Sequence, residues 1–535
     1  MQVQKANLFK RNQTIVLCPS LQKSKSDGEK DNMKKSIEQR ALESTVAGVI
    51  LFVITVIQSL VLVPLFLRYW GAEKYGVWLT MYSFVFLMRA FDAGHQTYVG
   101  NEFNKFFHTD KKYAQKVLGS SIRIALLLGL LELVIYLIIL TLNQHQNWVG
   151  IDPLQYQVVP GIISFLLMWM LVGSVGGILV RIILPLGAYA QSVYLTIAIK
   201  LLESLCIILA LVFQLSITVL SASIAFSWFI YASYLLYYIK NLMPEFYPWW
   251  KNGNWSLGVS NLIKSSALTV NNFVEQFNTS GTLIAISNFV GLAMVPVFST
   301  VRTIANIITQ ASTIFLSPLV PDLIKFYSTK EYDKIKDIMV TNWFIGTIFI
   351  NLPLMVLTPF MPTLFNWWTN GKIEFDMGLY LTLSYSVALI NYGKIFVLLI
   401  TCLNELWAIS VITITRFVVL IALAIFILQW YGLTQIGWAF IAAEMLASVL
   451  IPIFFSLKLE GLKSLVISSR EFILPSLSII ILGFSFLSSY NNGTMIVSLF
   501  LFVAMIYLAR RQWLFISKSV RERLLRQIPI TVFNR

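Results

Sequence analysis

The chain has 535 residues, of which 57% are hydrophobic and only 12% charged, with a mean hydropathy of +0.74. Soluble domains carry about 25% charged residues, so there are too few polar side chains here to cover a water-facing globule. The net charge of +15 gathers between the apolar runs, which makes it a topology signal and excludes a nucleic-acid surface.

In chain order, residues 1–44 form a polar, Lys- and Ser-rich tail that does not resemble a secretory signal, whose apolar core lies near the start of the chain. Met33-Lys34-Lys35 directly precedes the first apolar run and is an alternative translation start to Met1. Fourteen apolar runs follow, most near the roughly 20 residues that span the hydrocarbon core. They cover 45–67, 76–100, 118–141, 159–180, 192–213, 217–239, 262–286, 290–318, 338–362, 377–401, 406–429, 434–457, 472–488 and 494–509. The sequence therefore predicts an all-α polytopic membrane protein. If the N-terminus lies inside, most Lys and Arg fall in cytoplasmic segments and only Arg68, Lys74 and Lys372 lie outside. The positive-inside rule then places both termini in the cytoplasm, as an even number of crossings requires.

Residues 71–110 and 291–330 align without a gap. Gly71 matches Gly291, Glu102 matches Asp322, Lys105 matches Lys325, Phe106 matches Phe326, Phe107 matches Tyr327, and Thr109 matches Thr329. Each copy has a short outer turn, a helix, and an acidic-x-x-Lys-aromatic-aromatic exit. The expected organisation is two six-helix lobes, 45–239 and 262–457, related by a parallel repeat about an axis along the membrane normal. A connector at 240–261 joins them. Its Tyr247, Trp249 and Trp250 suit the headgroup level. An extra helix pair at 458–509 and a basic cytoplasmic tail at 510–535 complete the chain.

The segment Trp70-Gly71-Ala72-Glu73-Lys74-Tyr75-Gly76-Val77-Trp78 resembles the Leu-Gly-x-x-x-Tyr-Gly-x-Trp signature of Wzx-type O-antigen and polysaccharide flippases, within the multidrug/oligosaccharidyl-lipid/polysaccharide exporter superfamily. Gly291 through Phe298, then Arg302 and Asn306, resemble their second-lobe counterpart, as do Pro318–Pro321; Phe298 stands where the family usually has tyrosine. The resemblance implies flipping of a polyprenyl-diphosphate-linked oligosaccharide to the outer leaflet of the bacterial inner membrane, with lipopolysaccharide or other surface-polysaccharide assembly as its setting. Lipid-linked oligosaccharide and membrane lipids are the partners implied, with a polysaccharide polymerase and chain-length machinery as candidates.

Ionisable groups deep within spans cost about 2.5–3.5 kcal/mol each on insertion scales, so they face protein or water. The set here is Arg89, Asp92, Glu132, Lys200, Glu203, Glu275, Arg302, Lys394, Arg416 and Glu444. Arg89/Asp92 and Lys200/Glu203 are spaced i,i+3, which allows each pair to neutralise itself on one helix face. Arg302 lies on a stripe with Ser299, Asn306, Gln310, Thr313 and Ser317. Asn271, Glu275, Asn278 and Thr282 make another, and Lys394 shares a face with Ser384, Asn391 and Thr401. Polar side chains can join helices at about 0.6 kcal/mol per hydrogen bond, which does not account for a mid-depth Arg or Lys. A water-filled cavity between lobes does. Arg302, Lys394, Arg416, Arg89, Asn306 and Asn271 are the candidate substrate-binding residues, because fixed cations can replace the hydration of a diphosphate. Glu275, Asp92 and Glu132 are candidates for binding a coupling proton or sodium ion. Pro64, Pro296, Pro353 and Pro359 offer bend points for alternating access.

The sequence has no GxxxxGK[ST] and no HExxH, and Cys18, Cys206 and Cys402 form no CxxC, so neither cofactor nor metal is expected. A multidrug exporter of the same superfamily is the nearest rival. A membrane polysaccharide polymerase is the more distant one, since the longest outer loop, about 142–158, offers only His145 and Asp152 for chemistry. The chain is not expected to be an enzyme.

Overall fold

The computed structural model describes residues 37–143, 151, 158–316, 323, 326–327, 329–403, 405–459, 470–490, 495–518 and 521. The alternative start at Met33, the outer loop with His145 and Asp152, Asp322 and Lys325 of the second exit motif and the end of the basic tail lie outside the described residues.

Each of the fourteen apolar runs is a helix, with ends within the reach of hydropathy windows. They are α1 (Ile37–Tyr69), α2 (Gly71–Phe107), α3 (Lys111–Asn143), α4 (158–182), α5 (Tyr189–Val212), α6 (Ile217–Leu242) and α7 (255–289). The second half has α8 (Met294–Leu316), α9 (Tyr332–Thr369), α10 (Met377–Cys402), α11 (Leu406–Trp430), α12 (437–458), α13 (Arg470–Tyr490) and α14 (Met495–Phe515). Eleven are long and apolar enough to cross a membrane, and the other three are α2, α7 and α8. Aligned residues open α2 and α8 in the same way: Gly71 and Gly291 have φ of +73° and +122°. Side chains rarely tolerate that region, which explains a glycine at both positions.

The helix packing repeats between the halves. In the first lobe α1 packs on α5, α2 on α4, α4 on α6, and α5 on α6; in the second, α7 packs on α11, α8 on α10, α10 on α12, and α11 on α12. Two six-helix lobes therefore share one internal arrangement. Helices α13 and α14 pair with each other and dock on α9 and α10. There the Tyr392 and Ser476 hydroxyls lie 2.8 Å apart, and Phe472 stands edge-on to Trp343 with ring centroids 5.8 Å apart.

The lobes meet along α2–α7, α3–α7, α2–α8 and α1–α8. Close backbone approach defines this seam. A Cβ on Gly94 of α2 would collide with the Thr269 backbone of α7, and one on Gly76 with the Leu292 carbonyl. Nearer the basic end, His95 Nδ1 and Ser265 Oγ face each other across the seam at 3.4 Å. At the far end Phe66 stacks on Tyr75, centroids 4.6 Å apart, inside an apolar cluster that runs through both lobes. The opposite half of α1 packs on α5 instead, through Ala47, Leu51 and Ile54. The connector is fastened to α3: Asn254 N donates to Ser120 Oγ at 2.8 Å, and Lys111 pairs with Glu245 at 3.2 Å. It leaves Tyr247 and Trp250 exposed.

Candidate functional site

The three helices least suited to lipid, α2, α7 and α8, pack on one another at the seam. A cavity of about 270 Å³ lies between them. Tyr82, Ser83 and Phe86 line it from α2, Gln276, Thr279 and Ser280 from α7, and Ser299, Arg302, Thr303 and Asn306 from α8. The α8 set follows helical spacing, so one turn after another presents a polar group to the same space. Gln310, Thr313 and Ser317, expected to continue the stripe, have side chains outside the described residues.

Arg302 is the charge in this cavity. Its Nη1 donates to the Thr279 carbonyl at 3.3 Å, and its guanidinium lies 5.3 Å from the Phe440 ring centroid and 5.7 Å from that of Phe298. Among the described residues no carboxylate comes within ion-pair distance, although Glu444 is near enough to attract it. The accepting carbonyl belongs to a π-helical turn, Phe277–Gly281, which interrupts the regular ladder of α7. Such turns recur at functional sites because they leave backbone groups free to serve ligands or side chains. Among the described residues the others are Trp169–Gly173 in α4, Thr347–Asn351 in α9 and Met445–Leu450 in α12.

Arg416 has a different fate. Its Nη1 reaches Glu275 Oε1 at 2.7 Å, its Nε reaches Glu444 Oε1 at 3.1 Å, and its Nη2 donates to Ser448 Oγ at 3.1 Å. Carboxylates from α7 and α12 thus pair with the cation that the sequence offers as a phosphate ligand. The same pairing engages Glu275, one of the ion-coupling candidates.

Among the described residues the i,i+3 pairs of the first lobe do not close as salt bridges, and tryptophans meet Arg89, Asp92 and Glu203 instead. The Arg89 guanidinium sits in the corner formed by Trp169 and Trp228, 3.8 and 4.4 Å from their ring centroids, the two indoles meeting at 72°. The Trp169 indole N–H donates to Asp92 Oδ2 at 3.2 Å, and that of Trp228 to Glu203 Oε1 at 2.5 Å. Gln96 and Ser174 turn toward Asp92 without closing hydrogen bonds. Glu132 of α3 is 1% exposed and both its carboxylate oxygens lack partners, as does the Tyr136 hydroxyl one turn along. Asp92 stands near enough to Glu132 for the two carboxylates to interact.

Of the expected substrate residues, Arg302 and Asn306 line the interlobe cavity, and Arg89 lies behind its wall, 4.9 Å from the Phe86 ring centroid. Lys394 sits half-buried on α10, in a contact of its own, and neither it nor Asn271 lines the cavity. Sequence reasoning missed Gln276, Thr279, Ser280 and the α2 wall. A polar pair, Thr279-Ser280, beside Gly281 in an apolar run was the available signal.

Fold and site together define a polytopic helical membrane protein of two like lobes with a polar cavity on their seam. Solved structures of multidrug transporters share this architecture. The chain is similar to an inward-facing multidrug resistance MATE family transporter of the MOP superfamily, with TM-score 0.61, 12% identity, and coverage of 78% of this chain and 99% of that one. An outward-facing MATE family transporter of that superfamily gives TM-score 0.56 at 11% identity, covering 82% and 100%. The MATE multidrug transporter DinF-BH gives 0.56 at 16% identity, covering 80% and 97%. At these identities the likeness is one of fold. No protein-family model matches the chain. No curated protein matches it either.

Proposed function

We propose that the chain flips a polyprenyl-diphosphate-linked oligosaccharide across the bacterial inner membrane by alternating access of its two lobes. The observation that carries this reading is Arg302: a guanidinium midway along α8 in a polar cavity on the seam, held by a backbone carbonyl and near two rings, with no carboxylate among the described residues in ion-pair contact. A diphosphate arriving there would find bidentate donors in place of its water. Ser299, Thr303, Asn306 and Gln276 surround it with the hydroxyl and amide groups that a first sugar needs. The polyprenyl chain would remain in the bilayer beside the seam.

Asp92 and Glu132 are the proposed coupling site, since two neighbouring buried carboxylates with few donors can accept a proton or a small cation. Both termini are placed in the cytoplasm, with the polymerase and chain-length machinery as partners on the outer side. A drug-exporting reading has one observation of its own, the half-exposed carboxylate of Glu275, which could meet an amphipathic cation.

The test is complementation of a strain lacking its own O-antigen flippase. Wild-type chain should restore surface glycan, and Arg302→Ala should abolish it at unchanged membrane abundance. Normal export by Arg302→Ala overturns the reading. Loss of drug resistance with no effect on undecaprenyl-linked glycan would favour multidrug export instead.

A further inference from the structure

The first lobe encloses a second cavity, of about 420 Å³, between α2, α4, α5 and α6. Its lining runs from Arg89, Trp169, Glu203 and Trp228 at mid-depth to Arg181 and Tyr189 at the basic end. Ligand pockets usually measure about 300–1,000 Å³, which this cavity reaches and the interlobe one does not. The two cavities are neighbours: Phe86 lines the interlobe one, and its ring centroid lies 4.9 Å from the guanidinium of Arg89, which lines the other.

The walls specify a ligand class. Trp169, Trp228 and Tyr231 line it with aromatic surface, one side of each tryptophan being taken by Arg89. Gln96 is 6% exposed, lines the cavity, and its Nε2 has no hydrogen-bond partner; Arg89 Nε is buried and unpartnered as well. Buried donors left open in this way are costly unless something fills them. Charge is close to balanced, with Arg89 and Arg181 set against Glu203 and against Asp92 on the Trp169 indole. A diphosphate would meet the two carboxylates, and an organic cation the two guanidinium groups. A sugar ring suits both features, with apolar C–H faces for the aromatics and uncharged hydroxyls for Gln96, Arg89 and Glu203.

We propose that this first-lobe cavity binds a neutral pyranose, a subsite for the distal sugars that the interlobe cavity has no room to hold. Its role in transport rests on the glycolipid reading above, but the binding itself does not.

Saturation-transfer difference NMR on the full chain in nanodiscs tests it, with N-acetylglucosamine, galactose and rhamnose as probes. At least one sugar should receive saturation. Gln96→Leu should weaken its binding about fivefold, the worth of one hydrogen bond. Gly176→Leu should also weaken it, because a Cβ at Gly176 meets nothing within 4 Å and the added side chain would fill the cavity. Arg302→Gln, which alters the neighbouring cavity, should keep the signal. The proposal is overturned if no sugar gives a signal sensitive to either first-lobe substitution, both variants remaining monodisperse. It is equally overturned if tetraphenylphosphonium or pyrophosphate displaces the sugar at lower concentration. Sugar binding that survives while the Arg302→Ala export test fails would remove the flippase reading and leave this site standing.

Discussion

Arg302 and Arg416 are the same residue type in the same lobe, yet one is neutralised and the other is not. The difference lies in what faces them. Arg416 meets Glu275 and Glu444, which lie 141 and 28 residues away in sequence, so no local pattern announces the pairing. Removing Arg416 would leave Glu444, only 8% exposed, without its counter-charge. Arg416→Ala should therefore lower stability by about 3 kcal/mol, nearly all through Glu444, because the half-exposed Glu275 contributes little. Thermal unfolding in detergent would show it, and Arg416→Met combined with Glu275→Gln and Glu444→Gln should recover most of the loss. Arg302→Lys should keep the protein stable but export less than wild type in the complementation assay, since an ammonium lacks the guanidinium fork. The sequence exposed Arg302 and Asn306 because they share a helical stripe. It could not expose the Trp169–Arg89–Trp228 corner, which three separate helices build.

At the scale of elements, hydropathy located the membrane helices among the described residues, and two of the four prolines lie at irregularities, whereas Pro64 sits within the continuous α1 and Pro296 in the first turn of α8. Pro353 is the second residue after the π turn of α9, and Pro359 sits in its 3₁₀ turn, Thr358–Phe360. The π turns themselves were illegible, because one extra residue leaves an apolar window as apolar as before. In α7 the extra residue rotates Glu275 relative to Thr279 by about 100°, one helical step. Deleting Asn278 should therefore preserve membrane insertion while uncoupling the Arg302 cavity from the Arg416 network, and export should fall at normal abundance. The repeat makes a second demand. Gly291→Ala places a side chain at a φ of +122° and should cost about 1–2 kcal/mol, read as earlier aggregation in a thermal size-exclusion series.

For the whole molecule, the seam is what the proposed alternating access would have to change. Paired cysteines at His95 and Ser265, introduced after Cys18, Cys206 and Cys402 are replaced by serine, should be joined by a short thiol-reactive linker. Joining should stop export, and a reducible linker should restore it on reduction; unimpaired export by the joined protein would mean that this part of the seam stays closed through the cycle. Sequence alone gave the two lobes through the aligned glycines and exits, but it said nothing of which helices face across the seam. That arrangement depends on close backbone approach at Gly94 and Gly76, and glycine spacing in one helix does not name its partner in another.

The docking of α13 and α14 on α9 and α10 makes the twin bundles unequal partners. A body dragging two additional columns through viscous lipid turns more slowly than its slimmer twin. During any rocking cycle the first lobe should therefore sweep the larger arc, while the outrigger keeps its host nearly still.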